Sequence, residues 1–535
     1  MKTMISSIIL ASCLALPLAS CSDSDVAPEQ KDWSTTTYFY SADAAMQDTY
    51  YKPTVGYVGD PMPFFDPVAG DFKVLYLQDF RPNPEGTYHP IWGVSTKDAA
   101  HYTSLGELVS CGTKKSQDAA IGTGSTIYDE ASKLYYTFYT GNKYLPTGDE
   151  SAQAVMVATS PDFKTWTKDR TFLLKGQDFG YDKNDFRDPF VFKGDDGKFH
   201  MLVSTKKSGK GSLAEFVSDD LKNWTDNGVF MTMMWDRFYE CPDLFKMGDY
   251  WYLVYSEIHH AVRRVQYFKG RTLDELKACT ANDVARWPDA HEGFLDSRGL
   301  YAGKTASDGT NRYLWGLCPT RSGKDNTAVG ASPAEPEWGG NLVCYKLIQH
   351  EDGTLTLGQV DAVSEKYNQD VAVEVKESQN MTEADGTYTL AGSVEQPDAY
   401  MLMGRLGSHN KISFTVTTSN EWDKFGISMV RGSDSKKYYT MVVNPENENN
   451  RKVNFEEQGV EGKGFIAGID GYVFARPADN VYNITIYTDN SICVMYINDV
   501  CSYTNRIYGI QKNCWSINSY NGANVKISNL KISQY

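Results

Sequence analysis

A recurring stretch constrains the fold of this chain more than any other feature. It consists of an acidic residue, a proline and a short apolar run, followed by a polar turn and an aromatic-rich strand. Three copies keep the acid and the proline, at Asp60-Pro61, Asp188-Pro189 and Glu240-Cys241-Pro242. Two further copies, near Gly122 and from Asp296, lack the proline. Each copy predicts strands that pair across a turn, which is a small antiparallel sheet.

The spacing of the copies predicts how these sheets are arranged. The copies follow one another at roughly 50–65 residues, a range typical of solenoids, propellers and arrays. Five small antiparallel sheets around one axis form a five-bladed β-propeller, predicted here for residues 50–358. A charged segment at 359–384 is interpreted as a linker. Residues 385–535 show short alternating strands separated by turns and predict a β-sandwich, so the predicted fold class is all-β.

The N-terminus predicts export. Lys2 precedes an apolar run from Ile5 to Leu18 that is too short to span a bilayer but fits a signal peptide. Cys21 follows small residues in a pattern that resembles a bacterial lipobox, in which this cysteine carries the lipid; a plain secretory signal is the alternative. We expect a lipoprotein signal peptide at 1–21, a flexible segment at 22–49, and a lipid anchor that holds the protein at the outer membrane, exposed on the surface.

Composition argues against several other classes of function. The chain has 68 acidic and 52 basic residues and a net charge of −16, and its basic residues do not cluster, so nucleic acid is not a predicted partner. Eight of the ten cysteines lie beyond Cys21 and are scattered, without the spacing of a zinc site. Most of these eight are interpreted as buried thiols.

The acids of the repeats predict the chemistry. The first strand of each propeller blade lies nearest the axis, so residues at matching places converge on one mouth of the channel. The copies align Asp60, Asp188 and Glu240 at nearly matching places. Glycoside cleavage uses such carboxylates, one as nucleophile or base and one as a proton donor kept neutral by its surroundings. The alternative is that acid-proline pairs only form turns, and three pairs in register favour the functional interpretation.

The same motifs resemble those of glycoside hydrolase family 32, the retaining β-fructofuranosidases. Arg187-Asp188-Pro189 and Glu240-Cys241-Pro242 match the Arg-Asp-Pro and Glu-Cys motifs of that family in full. The Asn-Asp-Pro motif of the family is degenerate, because its Asn falls on Gly59, but Asp60 is kept. The resemblance covers about residues 50–350 and extends to the C-terminal sandwich. Within the family, the chain most resembles the surface endo-levanases of gut Bacteroidetes.

The resemblance implies a role for each site residue. Asp60 is the expected nucleophile, Asp188 the transition-state stabiliser and Glu240 the acid/base. Four residues are expected to bind the substrate: Gln78, Trp92, Thr123 and Arg187. The resemblance implies neither a metal nor a cofactor.

The leading hypothesis is a retaining enzyme that cleaves β-2,6 linkages inside levan. Gly59 replaces a larger polar residue, which is interpreted as loosening the recognition of a chain end. The implied partners are a levan-type fructan, the membrane surface and a glycan-import complex. The alternatives are an exo-acting fructanase or inulinase of the same family, a five-bladed hydrolase of arabinan or xylan, and a non-catalytic glycan-binding surface lipoprotein.

Overall fold

The structure is a computed structural model that describes most of the chain beyond residue 48. The described residues are 49–80, 88–233, 238–257, 264–279, 293–321, 336–431, 438–445, 452–458, 472–474, 476–511 and 513–535. The predicted signal peptide, the predicted lipidation site Cys21 and residues 22–48 lie outside them. Within the described ranges the two α-helices are α1 (Leu273–Ala278) and α2 (Asp361–Lys366), and no helix there is long and apolar enough to cross a membrane.

The propeller consists of five blades of three or four antiparallel strands each, which confirms the predicted fold. Blade I contains β1 (Tyr57–Asp66), β2 (Asp71–Asp79), β3 (Ile91–Thr96) and β4 (Thr103–Val109). Blade II contains β5 (Ala120–Asp129), β6 (Leu134–Asn142), β7 (Gln153–Ser160) and β8 (Thr167–Lys168). Blade III contains β9 (Phe186–Lys193), β10 (Phe199–Lys207), β11 (Lys210–Ser218) and β12 (Thr225–Thr232).

The remaining two blades complete the ring. Blade IV contains β13 (Glu240–Met247), β14 (Tyr250–Glu257) and β15 (Arg264–Gly270). Blade V contains β16 (Tyr301–Ser307), β17 (Arg312–Arg321), β18 (Pro336–Gln349) and β19 (Leu355–Gly358). Strand β18 also pairs with β1, with Val58 opposite Gly340, so the last blade is hydrogen-bonded to the first.

Each inner strand of the propeller carries a β-bulge near its start. In four blades two residues lie opposite one, at 60–61, 188–189, 241–242 and 302–303, and in blade II the extra residue is Thr123. The first bulged residue has a left-handed φ at Asp60 (25°), Asp188 (59°), Cys241 (51°) and Ala302 (53°). Because a bulge re-aims side chains, the blades present equivalent residues to the channel.

These equivalent residues form three levels, named here in chain direction. The first level is the residue before each bulge: Gly59, Gly122, Arg187, Glu240 and Tyr301. The second level is the first bulged residue: Asp60, Thr123, Asp188, Cys241 and Ala302. The third level is the residue at which pairing resumes: Met62, Gly124, Phe190, Asp243 and Lys304.

The C-terminal domain is a sandwich of two antiparallel sheets, as predicted. The strands are β20 (Gln369–Val371), β21 (Val375–Gln379), β22 (Met381–Ala384), β23 (Thr387–Ala391), β24 (Ala399–Arg405), β25 (His409–Thr418), β26 (Lys424–Arg431), β27 (Tyr438–Asn444), β28 (Lys452–Gln458), β29 (Tyr472–Val473), β30 (Val481–Asp489), β31 (Ile492–Ile497), β32 (Cys501–Arg506), β33 (Cys514–Tyr520) and β34 (Asn524–Gln534). One sheet has the order β22-β23-β34-β25-β30-β31-β32, with β20 beside β34, and the other has the order β21-β24-β33-β26-β27-β28-β29. Apolar side chains from both sheets fill one shared core.

The segment 359–384 is not the linker that its charges suggested. It contains α2 and the strands β20, β21 and β22, which pair with other strands of the sandwich. Most side chains of these three strands are exposed or half-buried. The charged residues of this segment therefore lie on the solvent side of short edge strands. Because such strands are rich in charged residues, their composition resembles that of a linker.

Buried polar contacts join the two domains. The carboxylate of Asp296, before blade V, accepts hydrogen bonds from the Ser502 hydroxyl (2.8 Å), the Thr504 hydroxyl (2.8 Å) and the Thr504 amide (2.7 Å). Arg506 donates to the carbonyl oxygens of Pro319 and Cys318, each at 2.7 Å. The opening of the fifth repeat is therefore a domain contact, and the inner strand begins later, at Tyr301.

Candidate active site

The three predicted acids converge from blades I, III and IV, but they do not share one level. Asp60 and Asp188 lie at the second level, whereas the second-level residue of blade IV is Cys241 and Glu240 precedes it. The predicted alignment was therefore one residue out for Glu240. The reason is visible in the motifs, because Cys241 separates the acid from the proline in blade IV. The offset places Glu240 beside the first-level residues of the neighbouring blades.

Asp188 is the deepest of the three carboxylates, with only 5% of the residue exposed. Its backbone N–H donates to the Thr140 hydroxyl (2.8 Å), and its Oδ2 accepts from the Cys241 amide (2.9 Å). Burial raises the pKa of Asp188, and the net shift is upward. The charge of Arg187 acts in the opposite direction, the nearby Glu240 raises this pKa further, and the Cys241 amide lowers it.

Glu240 is held by first-level residues from both sides. Arg187 Nη2 donates to Glu240 Oε1 at 3.0 Å, and the Tyr301 hydroxyl donates to Glu240 Oε2. The Arg187 guanidinium also donates to Asp185 at 2.6 Å and lies 3.8 Å from the Phe238 ring centroid. Burial lowers the pKa of Arg187, but the surrounding carboxylates, Asp188 first, raise it above its ordinary value. Arg187 thus fixes the acid/base candidate directly.

Asp60 is half-buried and meets an indole from blade V. Trp338 Nε1 donates to Asp60 Oδ1 at 3.2 Å. The His89 ring packs against the Trp338 indole, with the ring centroids 4.2 Å apart. A Cβ on Gly59 would lie 2.3 Å from Trp338 Cη2. The interpretation that Gly59 loosens the recognition of a chain end therefore loses its basis in reduced bulk, because the Trp338 indole occupies that space.

Comparison with known proteins identifies the family. The profile of the "Glycosyl hydrolases family 32 N-terminal domain" matches residues 50–360, which is more than half of the chain. The chain belongs to glycoside hydrolase family 32. A second profile, "GH32, BT1760-like, C-terminal domain", matches residues 353–532.

Individual relatives agree with this assignment. The chain is 28% identical over 282 residues to an invertase of Debaryomyces hansenii, covering 48% of this chain and 49% of the relative. It is 26% identical over 240 residues to a sucrose-6-phosphate hydrolase of Vibrio alginolyticus, covering 42% and 45%. The chain therefore spans about half the length of these curated relatives.

Solved structures share the fold over both domains. The sucrose-6-phosphate hydrolase from Lactobacillus gasseri superposes with a TM-score of 0.66 at 18% identity, covering 92% of this chain and 94% of that one. The exo-inulinase from Aspergillus awamori gives a TM-score of 0.67 at 15% identity, covering 91% and 98%. At these identities the likeness concerns the fold alone.

The predicted sugar-binding residues of this family 32 chain lie in different surroundings. Arg187 and Thr123 are in the channel, and the buried Thr123 hydroxyl has no hydrogen-bond partner among the described residues. Gln78 is fully buried behind β1, where its amide donates to the Val55 carbonyl. Trp92 is half-buried on β3 and packs its ring edge against Phe80, with the centroids 5.8 Å apart. The Gln78 amide nitrogen thus has a protein partner and its Oε1 has none among the described residues, and the sugar contact of Gln78 stays a prediction.

Sequence reasoning missed Tyr301 and Trp338, which contact two of the three acids. Tyr301 occupies the first level of blade V, so alignment on the bulge, rather than on the proline, would have found it. Trp338 left no such signal, because it lies on β18 outside the repeated stretch. The eight cysteines from Cys111 onward are free thiols and five of them are buried, as most were predicted to be.

Proposed function

We propose that this protein is a retaining hydrolase of β-fructofuranosyl bonds. The supporting observation is the meeting of Asp60, Asp188 and Glu240 at one channel, with Arg187 and Tyr301 on Glu240 and Trp338 on Asp60. One carboxylate attacks and one transfers a proton in double displacement. The three carboxylates have different neighbours, which is how similar groups acquire different roles.

In the proposed mechanism Asp60 attacks C2 of the fructosyl unit while Glu240 protonates the departing oxygen. Glu240 then takes a proton from water, and the water oxygen attacks C2 and releases Asp60. Asp188, held by the Cys241 amide, accepts hydrogen bonds from ring hydroxyls and stabilises the positive charge of the transition state.

The test is hydrolysis of levan, inulin and sucrose by the intact protein and by Glu240→Ala. Removing a general acid/base lowers the rate by roughly 10²–10⁴-fold, so Glu240→Ala should retain its fold and lose most activity. Glu130→Ala, the same change at an exposed turn of blade II, serves as a control that should keep the activity. Near-normal rates for Glu240→Ala would contradict the role, and an inactive parent protein would favour a non-catalytic glycan-binding protein.

We further propose that the substrate is levan and that cleavage is internal. The resemblance to surface endo-levanases and the predicted export signal support this choice, because an enzyme outside the cell shortens polymers into pieces that can be imported. The replacement of a larger polar residue by Gly59 does not contribute, because Trp338 occupies the adjoining space. Chromatography of an early levan digest should show a ladder of fructo-oligosaccharides and little fructose. Fructose as the dominant first product would favour the exo-acting alternative.

We also propose that Cys21 is lipidated and anchors the protein at the outer-membrane surface. The lipobox-like sequence before Cys21 and the acidic residues after it support this proposal. Metabolic labelling with a fatty-acid analogue should mark the native protein and not Cys21→Ala, and an external protease should degrade the native protein in whole cells. Labelling of Cys21→Ala would contradict the assigned site.

A further inference from the structure

A buried lysine lies in the channel one level beyond the catalytic carboxylates. Lys304 is the third-level residue of blade V, and only 2% of it is exposed. The other third-level residues are Met62, Gly124, Phe190 and Asp243, so Lys304 is the one cation of this level. A buried ammonium group is costly unless hydrogen bonds or opposite charges compensate it, and its presence here requires an explanation.

The contacts of Lys304 cross the channel. Its Nζ donates to the Gly124 carbonyl in blade II at 2.7 Å and lies 5.9 Å from the ring centroid of Phe190 in blade III. Gly124 is essential to this arrangement, because a Cβ there would lie 1.8 Å from the Phe138 carbonyl oxygen. No carboxylate of the described residues lies within salt-bridge distance of Lys304. Its hydrogen-bond acceptor is therefore neutral, and its compensating charge lies further away.

Two buried carboxylates face this ammonium group. Asp188 lies two residues before Phe190, at the second level, and Asp243 is the third-level neighbour in blade IV. Asp243 has closer partners, since its Oδ2 accepts from the Thr305 amide at 2.6 Å and the charge of Arg312 lowers its pKa more than that of Lys304 does. Burial and Glu240 raise the pKa of Asp188, Arg187 lowers it more than Lys304 does, and the Lys304 charge adds to that of Arg187.

A backbone path also links Lys304 to Asp188. The Gly124 carbonyl that accepts from Lys304 follows Thr123, whose own carbonyl accepts from the Thr140 hydroxyl at 3.0 Å. The same Thr140 hydroxyl accepts from the Asp188 amide at 2.8 Å. Asp188 itself has a left-handed φ of 59°. Lys304 thus influences Asp188 through its charge and through strand β5, which is hydrogen-bonded to Thr140, the partner of the Asp188 amide.

We propose that Lys304 is a positioning residue that keeps Asp188 ionised and oriented from the level beyond it, so that Asp188 can stabilise positive charge on a fructosyl substrate. The catalytic part of this proposal rests on the proposed function. The charged groups that face Asp188 are Arg187 and Glu240 at the first level and Lys304 at the third, with Asp60 across the second level. Of the two cations, Lys304 is the one that does not hydrogen-bond Glu240.

The first test uses Lys304→Gln, which keeps a donor for the Gly124 carbonyl but removes the charge. We expect kcat to fall at least tenfold with a smaller change in KM, because a group that contacts the reacting atoms contributes about 10²–10³-fold and Lys304 acts through another residue. The acid limb of the pH profile of kcat/KM should move to higher pH, because Asp188 without Lys304 binds its proton more tightly. Lys168→Gln removes a lysine paired with Asp118 on the outer part of blade II and should leave the acid limb unchanged.

A second measurement does not require activity. If Lys304 compensates the charge of Asp188, Lys304→Gln should lower Tm at neutral pH by more in the native background than in an Asp188→Asn background. A folded Lys304→Gln variant with the parent acid limb, or equal losses of Tm in the two backgrounds, would overturn the proposal. If Lys304→Gln alone does not fold, recovery of folding by Lys304→Gln/Asp188→Asn supports the proposal and failure to recover overturns it. If the parent protein is inactive but Lys304→Gln lowers Tm by different amounts in the two backgrounds, the proposed function is rejected and the coupling between Lys304 and Asp188 is retained.

Discussion

Gly59 and Trp338 make the most specific mutational prediction. In Gly59→Ala the new Cβ would lie 2.3, 2.4 and 3.0 Å from three atoms of the Trp338 indole. Because ordinary carbon contacts begin near 3.5 Å, the ring must shift by about 1 Å. Such overpacking typically costs about 1–3 kcal/mol of unfolding free energy.

The same shift should disturb Asp60, the proposed nucleophile. The indole nitrogen Nε1 lies 3.2 Å from Asp60 Oδ1. A movement of the indole by about 1 Å further away from Asp60 takes these two atoms beyond hydrogen-bond distance. A hydrogen bond to a charged group contributes about 1.5–3 kcal/mol. If that contact is needed to orient Asp60 in the transition state, its loss corresponds to a fall in kcat of about 10–100-fold.

A double-mutant cycle on a fructan substrate provides the assay. Trp338→Phe removes both the N–H and the larger ring, so it should lower kcat by a similar factor and relieve the clash. The pair Gly59→Ala/Trp338→Phe should then be little worse than Trp338→Phe alone. Full activity of Gly59→Ala, or losses that simply multiply in the double variant, would show that the two residues act independently and refute the reasoning.

Three further predictions concern stereochemistry and stability. If Asp60 and Glu240 act in double displacement, their carboxyl groups should be about 5–5.5 Å apart, and NMR of the first-formed product should show the substrate's anomeric configuration; initial inversion would reject the mechanism. The folded-state pKa of Asp188 is raised, so the ionisation of Asp188 lowers the stability of the protein above that pKa. Asp188→Asn should therefore raise Tm near pH 7, and this gain in Tm should shrink as the pH falls towards about 4. A gain in Tm that grew on acidification would contradict this prediction. Asp296→Ala leaves buried donors of Ser502 and Thr504 without an acceptor, so calorimetry should show a loss of about 3 kcal/mol or more, and an unchanged melting curve would exclude a stabilising domain contact.

The repeats made the fold and the three acids predictable, because each acid lies inside a stretch whose strand pattern is local. What the sequence could not reveal depends on contacts between distant segments. An absent side chain at Gly59 does not indicate what fills its place, because Trp338 lies on β18 of the last blade, far from Gly59 in sequence. The one-residue offset of Glu240, by contrast, could be predicted from the sequence, because Cys241 separates Glu240 from the proline. Its meaning became clear only when the β-bulges of the inner strands were compared.

The hydrogen bonds that join the first and last blades have a consequence for how the chain acquires its structure. Strand β1 finds its partner β18 only after almost the entire propeller has been synthesised, and Asp489 of the sandwich, later still, accepts from the Thr49 and Tyr50 amides at 2.9 Å. Contacts so far apart in sequence slow folding, since loop closure must precede them. Until then β1 presents an unpaired edge on which another chain can pair. A truncation before β18 should therefore yield a protein prone to aggregation rather than a smaller working enzyme.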